Sequence, residues 1–184
     1  KTPFYGEGLD GLMSARANVL CGNVNGLDYD DWNPETDTRI AKNFTIGNFR
    51  KNKVANKTAL QEELGLNKDP HVMLIGMVSR LTDQKGFDLI DYVMDELCQD
   101  AVQIVVLGTG DVKYENMFRH YAWKYDKKVS ANIYYSEAMS HKIYAAADAF
   151  LMPSLFEPCG LSQLMSLRYG TVPIVRETGG HKDT

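Results

Sequence analysis

The stretch HVMLIGMVSRLTDQKGFDLIDYVMDEL, residues 71–97, decides the fold. Its first nine residues, HVMLIGMVS, are almost all apolar, which is typical of a buried strand. Its last eleven, FDLIDYVMDEL, carry apolar side chains at helical spacing. Between them lie Arg80, Lys85 and Gly86. The sequence therefore predicts a buried strand that passes into a helix through a short cationic loop.

The same alternation continues toward the end of the chain. The predicted strand VQIVVLG precedes the helix VKYENMFRHYAWKY, VSANIYY precedes EAMSHKIYAAA, AFLMPS precedes GLSQLMSLRYG, and VPIV precedes a terminal loop. Short, continuously apolar strands that alternate with helices are typical of parallel sheets with crossover helices. We therefore expect an α/β domain with five parallel strands.

The first third of the chain is less regular. GLDGLMSARAN predicts a short helix, and VANKTALQEELGL predicts a helix that ends at Gly65. GNVNGLDYDDWNPETD is rich in turn formers and has no period, which indicates a functional loop or a crossing between domains. The acidic run from Asp28 to Asp31 in this segment is interpreted as a turn at the surface and not as a pair of metal ligands.

The bulk composition excludes several classes of function. The 184 residues are 44% hydrophobic and 24% charged, as in ordinary globular domains. A net charge of −4 argues against a nucleic-acid binder or a membrane-surface protein. The longest apolar runs fall short of the roughly 20 residues that span a bilayer. The three cysteines and four histidines are scattered without metal-ligand spacing, so we expect no zinc site and surface or capping roles for the histidines.

Polar and charged residues follow each predicted strand. In an open parallel sheet, ligands bind beyond the carboxyl ends of the strands. The loops at that edge are, in strand order, residues 79–86, 108–111, 134–137, 154–160 and 176–180.

Several of these loop residues suit a phosphate-bearing ligand. Arg80 and Lys85 can hold one anion from a single loop, the first as a planar fork and the second as a point charge. The tripeptide PCG precedes a helix, whose free N–H groups and positive dipole end favour a phosphate. The TGG of residues 178–180 lets the backbone approach a ligand closely.

Two further residues suit the rest of a nucleotide sugar. Tyr135 offers a flat face for a base, and Glu157 can accept hydrogen bonds from sugar hydroxyls. Each residue also has a plainer interpretation: solvated loop charges for Arg80 and Lys85, a core aromatic for Tyr135, and a helix-start acid for Glu157. GTGD lacks the third glycine of a dinucleotide fingerprint. The prediction of a ligand site therefore depends on their convergence at one edge.

The motifs SRL…QKG and FEPCGL…YGT.P…TGG, together with NVNGLDYDDWNPETD and PFYGEGLDGLM, resemble bacterial glycogen synthases and plant starch synthases. These are retaining glucosyltransferases of the two-domain GT-B architecture, and the resemblance covers nearly the whole chain. It implies a Rossmann-like C-terminal domain of the GT-B type over residues 22–184. It also implies that residues 1–21 are the tail of an N-terminal domain or an interdomain segment.

The resemblance carries an expected activity. It implies glucose transfer from ADP-glucose to the non-reducing end of an α-1,4-glucan with retention, and it implies no cofactor and no metal. The expected partners are ADP-glucose, the glucan and the protein's own N-terminal domain, without nucleic acid or membrane. The expected location is the bacterial cytoplasm, or a plastid for a plant protein. Without the other domain, we expect the isolated chain to lack turnover.

The resemblance also assigns roles to individual residues. Arg80 and Lys85 match the basic pair that binds the donor diphosphate, and Glu157 matches the carboxylate beside the donor sugar; these three are the catalytic candidates. The substrate-binding candidates are Asn25 at the cleft, Tyr135 beside the adenine, Cys159, Gly160 and Leu161 near sugar and phosphate, and Thr178, Gly179 and Gly180 in the phosphate-side loop.

Two positions depart from the pattern of the family, and alternatives stay open. Leu155 stands where the family commonly has an arginine, and Glu177 where it often has arginine or lysine. The alternatives are a related glycosyltransferase that uses a UDP-sugar, and a nucleotide- or glucan-binding module without turnover. A Rossmann oxidoreductase is disfavoured, because it requires GxGxxG after the first strand, where this chain has SRLTDQKG.

Overall fold

The computed structural model describes residue 6 and residues 8–183. The beginning of the first family-like segment, PFYG, falls largely outside these residues, as does Thr184. Within the described residues, the chain forms one parallel sheet with helices packed on it.

The sheet has five parallel strands, which confirms the predicted α/β class. The strands are Met73–Val78 (β1), Val102–Leu107 (β2), Val129–Asn132 (β3), Ala149–Met152 (β4) and Val172–Val175 (β5). Their spatial order is β3-β2-β1-β4-β5. The chain thus builds outward from β1 in one direction, then returns to the other side of β1 with β4. The order of the strands reverses between β1 and β4, and open α/β sheets bind ligands in the crevice beyond the carboxyl ends of the strands at this switch point.

The helices occupy nearly all of the predicted positions. They are Asp10–Ala15 (α1), Phe49–Glu63 (α2), Phe87–Leu97 (α3), Val112–Lys124 (α4), Glu137–Ala146 (α5), Leu161–Arg168 (α6) and Gly180–Asp183 (α7), with a single 3₁₀ turn at Asp83–Lys85. No helix formed by residues 8–183 is long and apolar enough to cross a membrane.

Three boundaries differ from the sequence prediction. Helix α2 begins at Phe49, five residues before the predicted start at Val54, in a polar segment that shows no apolar period. Strand β3 ends at Asn132 because its neighbour β2 ends at the paired Leu107, so the following tyrosines have no strand to pair with. The prediction of a loop after β5 is wrong for its last residues, which form the short helix α7. The N–H groups of His181 and Lys182 donate to the carbonyls of Thr178 and Gly179.

The core lies between the helices and the central strands. Residues Leu74 to Met77 of β1 are all buried, as a strand covered on both faces requires. Position 76 requires a glycine, because Ile143 of α5 packs closely against it. An added Cβ would lie 2.6 Å from the Ile143 Cγ2 atom. This close approach packs α5 directly on the sheet, and the first turn of α5 then lies at the ligand edge.

Helix α2 is fastened to this core by two buried lysines. The Nζ of Lys53 lies within 3.2 Å of the carbonyl oxygens of Tyr144, Ala145 and Tyr169, all at helix C-termini. It also contacts the Thr171 hydroxyl at 2.8 Å. One turn later, Lys57 forms a 2.6 Å ion pair with Asp148. Buried helix-end carbonyls need donors, and the Lys53 amino group supplies them, although burial lowers its pKa to about 7.

Candidate functional site

The loops that follow β1 and β2 run side by side in backbone contact. The Ser79 N–H donates to the Leu107 carbonyl at 3.1 Å, and the Leu81 N–H donates to that of Thr109 at 2.9 Å. A Cβ on Gly108 would overlap the Ser79 carbonyl oxygen, and one on Gly110 would overlap that of Leu81. The glycines of GTGD therefore allow two loops to pack closely, and this packing places Arg80 at the ligand edge.

The loops that follow β1 and β4 meet at the switch point through an ion pair. Lys85 Nζ lies 2.6 Å from Glu157 Oε2, and the two side chains are only 15% and 12% exposed. The Ser154 hydroxyl is 3.4 Å from the same carboxylate oxygen. Gly86, at φ +70°, follows Lys85 and packs directly on the carbonyl of Pro153, where any Cβ would clash. Two of the three catalytic candidates thus touch each other.

The glycine loop after β5 packs against the loop after β4. The Gly180 N–H donates to the Glu157 carbonyl at 2.7 Å. A Cβ on Gly179 would overlap that same carbonyl, and one on Gly180 would overlap the backbone of Cys159. The two loops therefore form one continuous backbone surface around Glu157, and Gly160, the residue just before helix α6, lies at its side.

The crossover segment, residues 22–48 between α1 and α2, reaches this surface at Asn25. The Cys159 thiol lies 3.8 Å from the Asn25 carbonyl oxygen, while the Asn25 residue as a whole is exposed. Leu161, the first residue of α6, is also exposed. The structure thus brings together most of the sequence-predicted positions around the Lys85–Glu157 pair: Asn25, Cys159, Gly160, Leu161, Thr178, Gly179 and Gly180.

Arg80 and Tyr135 lie in an adjoining cavity of about 420 Å³. Its walls include Val78, Leu107 and Met165, and it opens beside the exposed rings of Tyr134 and Tyr135. The Arg80 side chain forms no ion pair with any described residue. Ser79 lines both this cavity and a small recess that contains Lys85 and Ser154. The cavity and the Lys85–Glu157 pair are therefore neighbouring parts of one edge.

The cavity has an acidic rim that the sequence analysis missed. Asp31 and Glu137 both line it, and the guanidinium of Arg39 lies between them at 2.7 and 3.1 Å. The Nε of Arg39 bonds Asp37 at 2.9 Å. The assignment of Asp31 to a turn is correct for its backbone, whose N–H bonds the Asp28 carboxylate, but its side chain belongs to the cavity. No local pattern links these residues, because Arg39 and Glu137 are 98 positions apart.

Behind the rim lies a fully buried polar network. Asp37 accepts hydrogen bonds from the Tyr169 hydroxyl at 2.6 Å and shares a 2.8 Å contact with the Nδ1 of His141. Burial opposes the charge of Asp37, but hydrogen bonds from Tyr169, Arg39 and His141 outweigh it and hold the carboxyl pKa below its ordinary value. His141 stacks on Trp32 with ring centroids 3.8 Å apart. The prediction of a surface or capping role is therefore wrong for His141.

One group of side chains has the spacing of metal ligands. Oxygen or nitrogen atoms of Asp31, Glu137 and His141 lie within 4.8 Å of one another. The Arg39 guanidinium bonds both carboxylates of this group. It thereby supplies the positive charge that the two acids require, so the arrangement is explained by an arginine without an ion.

His181 is also buried, which again contradicts the predicted surface role. Its ring packs against Gly160, where an added Cβ would lie 2.5 Å from the Cδ2 of His181. Burial lowers the pKa of the imidazole; Lys85 lowers it further, while Glu157 and the Arg176 backbone oppose this, and the net pKa lies below 6.5. The neutral ring is therefore the form that packs between the glycine loop and the start of α6.

We expect the stability of the chain to fall in acid because of His181. A lowered folded-state pKa means that its contribution is complete above pH 6.5 and is lost as the pH falls through the folded pKa. Urea unfolding at about pH 7.5, 6.0 and 5.0 should show a clear decline for the parent chain and a shallower one for His181→Leu. His71→Leu, at an exposed histidine, should keep the parent slope. Equal slopes in the parent and His181→Leu would contradict the expectation.

Comparisons with protein families give one match across most of the chain. The family model described as "Glycosyl transferases group 1" matches residues 56–184. A glycogen synthase of Lachnospira eligens is 74% identical over the whole chain, and one of Lachnoclostridium phytofermentans is 68% identical over 182 residues. The chain spans 38% of the length of each of these relatives.

Solved structures show the same architecture. The catalytic domain of starch synthase IV from Arabidopsis thaliana, bound to ADP and acarbose, matches 99% of the chain with a TM-score of 0.90 and 37% identity. The chain covers 38% of that structure. Anabaena Alr3699/HepE in complex with UDP-glucose matches 77% of the chain at 20% identity and a TM-score of 0.57, which supports the fold alone.

Proposed function

The chain belongs to the group 1 glycosyl transferases, and from this premise we propose that it is the donor-binding domain of a glycogen or starch synthase. In this proposal the complete protein transfers glucose from ADP-glucose to the non-reducing end of an α-1,4-glucan with retention. The observation that carries it is the partly buried Lys85–Glu157 pair at the switch point, beside a cavity of nucleotide size.

The comparisons confirm the fold and the family resemblance that the sequence predicted. The match to the starch synthase domain at a TM-score of 0.90 agrees with a Rossmann-like C-terminal domain of the GT-B architecture. The resemblance to glycogen synthases is confirmed at 74% identity over the whole chain. The individual site residues and the domain boundary at residue 22 remain predictions.

In the proposed mechanism, cations stabilise the leaving group. Breaking the bond between glucose and the diphosphate develops negative charge on phosphate oxygens. Arg80, Lys85 and the free N–H groups at the start of α6 would neutralise that charge from fixed positions. Fixed cations act without reorganisation at the moment of reaction, which is why such groups contribute strongly to catalysis.

Glu157 would act on the sugar side of the same bond. Its carboxylate can accept hydrogen bonds from glucose hydroxyls and face the positive charge that develops on the sugar ring. Its 2.6 Å contact with Lys85 supports this role, because it would hold both side chains in place before the donor arrives. We name no general base among the described residues, and the acceptor proton is proposed to leave with the diphosphate.

The remaining partners follow from the same proposal. We propose that the binding site for the glucan acceptor and the other wall of the cleft lie in the part of the protein outside this chain, since the chain spans 38% of its relatives' length. The starch synthase domain is described with ADP bound, which supports ADP as the nucleotide here. The bacterial relatives support a bacterial protein, and the cytoplasm is the location that we propose for it.

Calorimetric titration of the full-length protein with ADP, UDP and NAD tests the proposal. We expect ADP to bind at least tenfold more tightly than UDP or NAD. A preference for UDP would replace the proposal by a UDP-sugar glycosyltransferase. A preference for NAD would contradict the glycosyltransferase assignment of the site altogether.

A further inference from the structure

The two ends of the cavity differ in charge. Arg80 follows the central strand β1, whereas Tyr135 and Glu137 follow β3, two strands away in the sheet. Adjacent strands are about 4.8 Å apart, so these loops are separated by roughly 10 Å. A diphosphate is attracted to the Arg80 end and repelled by the carboxylates at the other end. A bound nucleotide would therefore place its base, and not its phosphates, against Tyr135 and the acidic rim.

The acidic rim has more acceptors than donors. One guanidinium, that of Arg39, serves three carboxylates: Asp31, Asp37 and Glu137. Asp37 is fully buried and fully engaged, so the Asp31 and Glu137 carboxylates are the ones that face the cavity. Their side chains are 40% and 55% exposed, whereas Arg39 is 26% exposed. The rim thus presents hydrogen-bond acceptors to whatever enters the cavity.

The rim is held firmly in place. Its supporting network includes His141, which is completely buried, bonds Asp37 through Nδ1, and is stacked on Trp32. The Nε2 atom of His141 has no hydrogen-bond partner among the described residues. The Arg39 Nη2 atom also donates to the Asp31 carbonyl at 3.0 Å, and its Nη1 atom donates to Glu137 at the start of α5 at 3.1 Å. A rim fixed in this way can discriminate between ligands, because it cannot rearrange to suit each of them.

We propose that Glu137 and Asp31 select a base that carries an exocyclic amino group over one that carries a carbonyl oxygen at the same place. This inference rests on the proposed nucleotide site and deepens it. An ionised carboxylate accepts hydrogen bonds and donates none, so it pairs with the 6-amino group of adenine. It repels the 6-carbonyl of hypoxanthine and the 4-carbonyl of uracil. The discrimination then arises largely from the rejection of the wrong base.

ADP and inosine diphosphate form a matched pair of probes, since they differ only on one edge of the base: adenine has the 6-amino group and a bare N1, and hypoxanthine has the 6-carbonyl and an N1–H. Titration of the full-length protein should give at least tenfold tighter binding for ADP. In Glu137→Gln the ratio should fall to about threefold or less, since the amide can donate to the carbonyl. Asp31→Asn should reduce the ratio in the same direction, and it keeps the test open if the first variant does not fold.

The control is Glu63→Gln. Glu63 forms an ion pair with Lys142 of α5, outside the 420 Å³ cavity, so this variant should keep the parent ratio. Equal binding of the two nucleotides by the parent protein would overturn the inference and leave the proposed function intact. A parent ratio that is unchanged in both rim variants would also overturn it. Failure of the parent protein to bind ADP would instead overturn the proposed function.

Discussion

Lys85→Ala in the full-length protein is expected to lower kcat/KM for ADP-glucose by about 10²- to 10³-fold, the usual effect of removing one fixed donor from a developing anion. The substitution removes a cation from the phosphate side of the bond. It also leaves the Glu157 carboxylate, which is 12% exposed, without its 2.6 Å partner. The first effect removes attraction for the leaving diphosphate, and the second leaves an unpaired negative charge beside it, which repels the same anion.

Steady-state kinetics with ADP-glucose and a glucan acceptor measure this effect. Lys113→Ala is the matched control. Lys113 forms an ion pair with Asp83, which lies in the same 3₁₀ turn as Lys85, but the Lys113 side chain is 58% exposed at the surface. That variant should keep kcat/KM within about threefold, as expected for a solvated surface pair. Arg80→Ala should resemble Lys85→Ala in direction. Unchanged kcat/KM in both Lys85→Ala and Arg80→Ala would remove the phosphate assignment.

Asp37→Ala is expected to lower the free energy of unfolding of the chain by about 3–5 kcal/mol, which is typical for removal of one member of a buried ionic network. The Asp37 carboxylate is completely buried and bonded by Tyr169, His141 and Arg39. Without it, the Tyr169 hydroxyl and the His141 ring lose a partner in a place that water does not reach. The cost is therefore the desolvation of the groups left behind.

Urea or guanidinium unfolding followed by far-ultraviolet circular dichroism measures the change. Asp126→Ala, at an exposed aspartate in the turn before β3, should change the free energy of unfolding by less than about 0.5 kcal/mol. A loss below about 1 kcal/mol in Asp37→Ala would show that water relieves the unpaired groups, and the network would then not be the anchor of the crossover segment.

The parts of the fold that sequence could predict are those encoded by local patterns. Each strand is a short apolar run, and β1 is buried along its length because helices cover both faces of the sheet. The positions of Lys85 and Glu157 followed from the rule that strand ends meet at one edge, and they touch although they are 72 residues apart. The rule locates side chains on an edge, but it does not specify which of them pair.

The parts that sequence could not predict depend on contacts between distant segments. Arg39 joins two carboxylates because the crossover segment folds over α5, and no spacing in the sequence encodes that path. His141 looked like an isolated polar residue, and its burial depends on Asp37, which is 104 positions away. Such networks become visible only when tertiary structure brings their members together.

The lysine that fastens helix α2 also has a consequence for how the protein is made. During synthesis, Lys53 leaves the ribosome long before the carbonyl of Tyr169, which it contacts 116 residues later. At the usual 5–20 residues per second, the wait lasts about 6–23 s. Through that interval the ammonium stays in water, and α2, a largely polar helix, exposes little that would aggregate. The contact that anchors helix α2 can therefore form only once helix α6 has emerged, just ahead of the last strand, Val172–Val175.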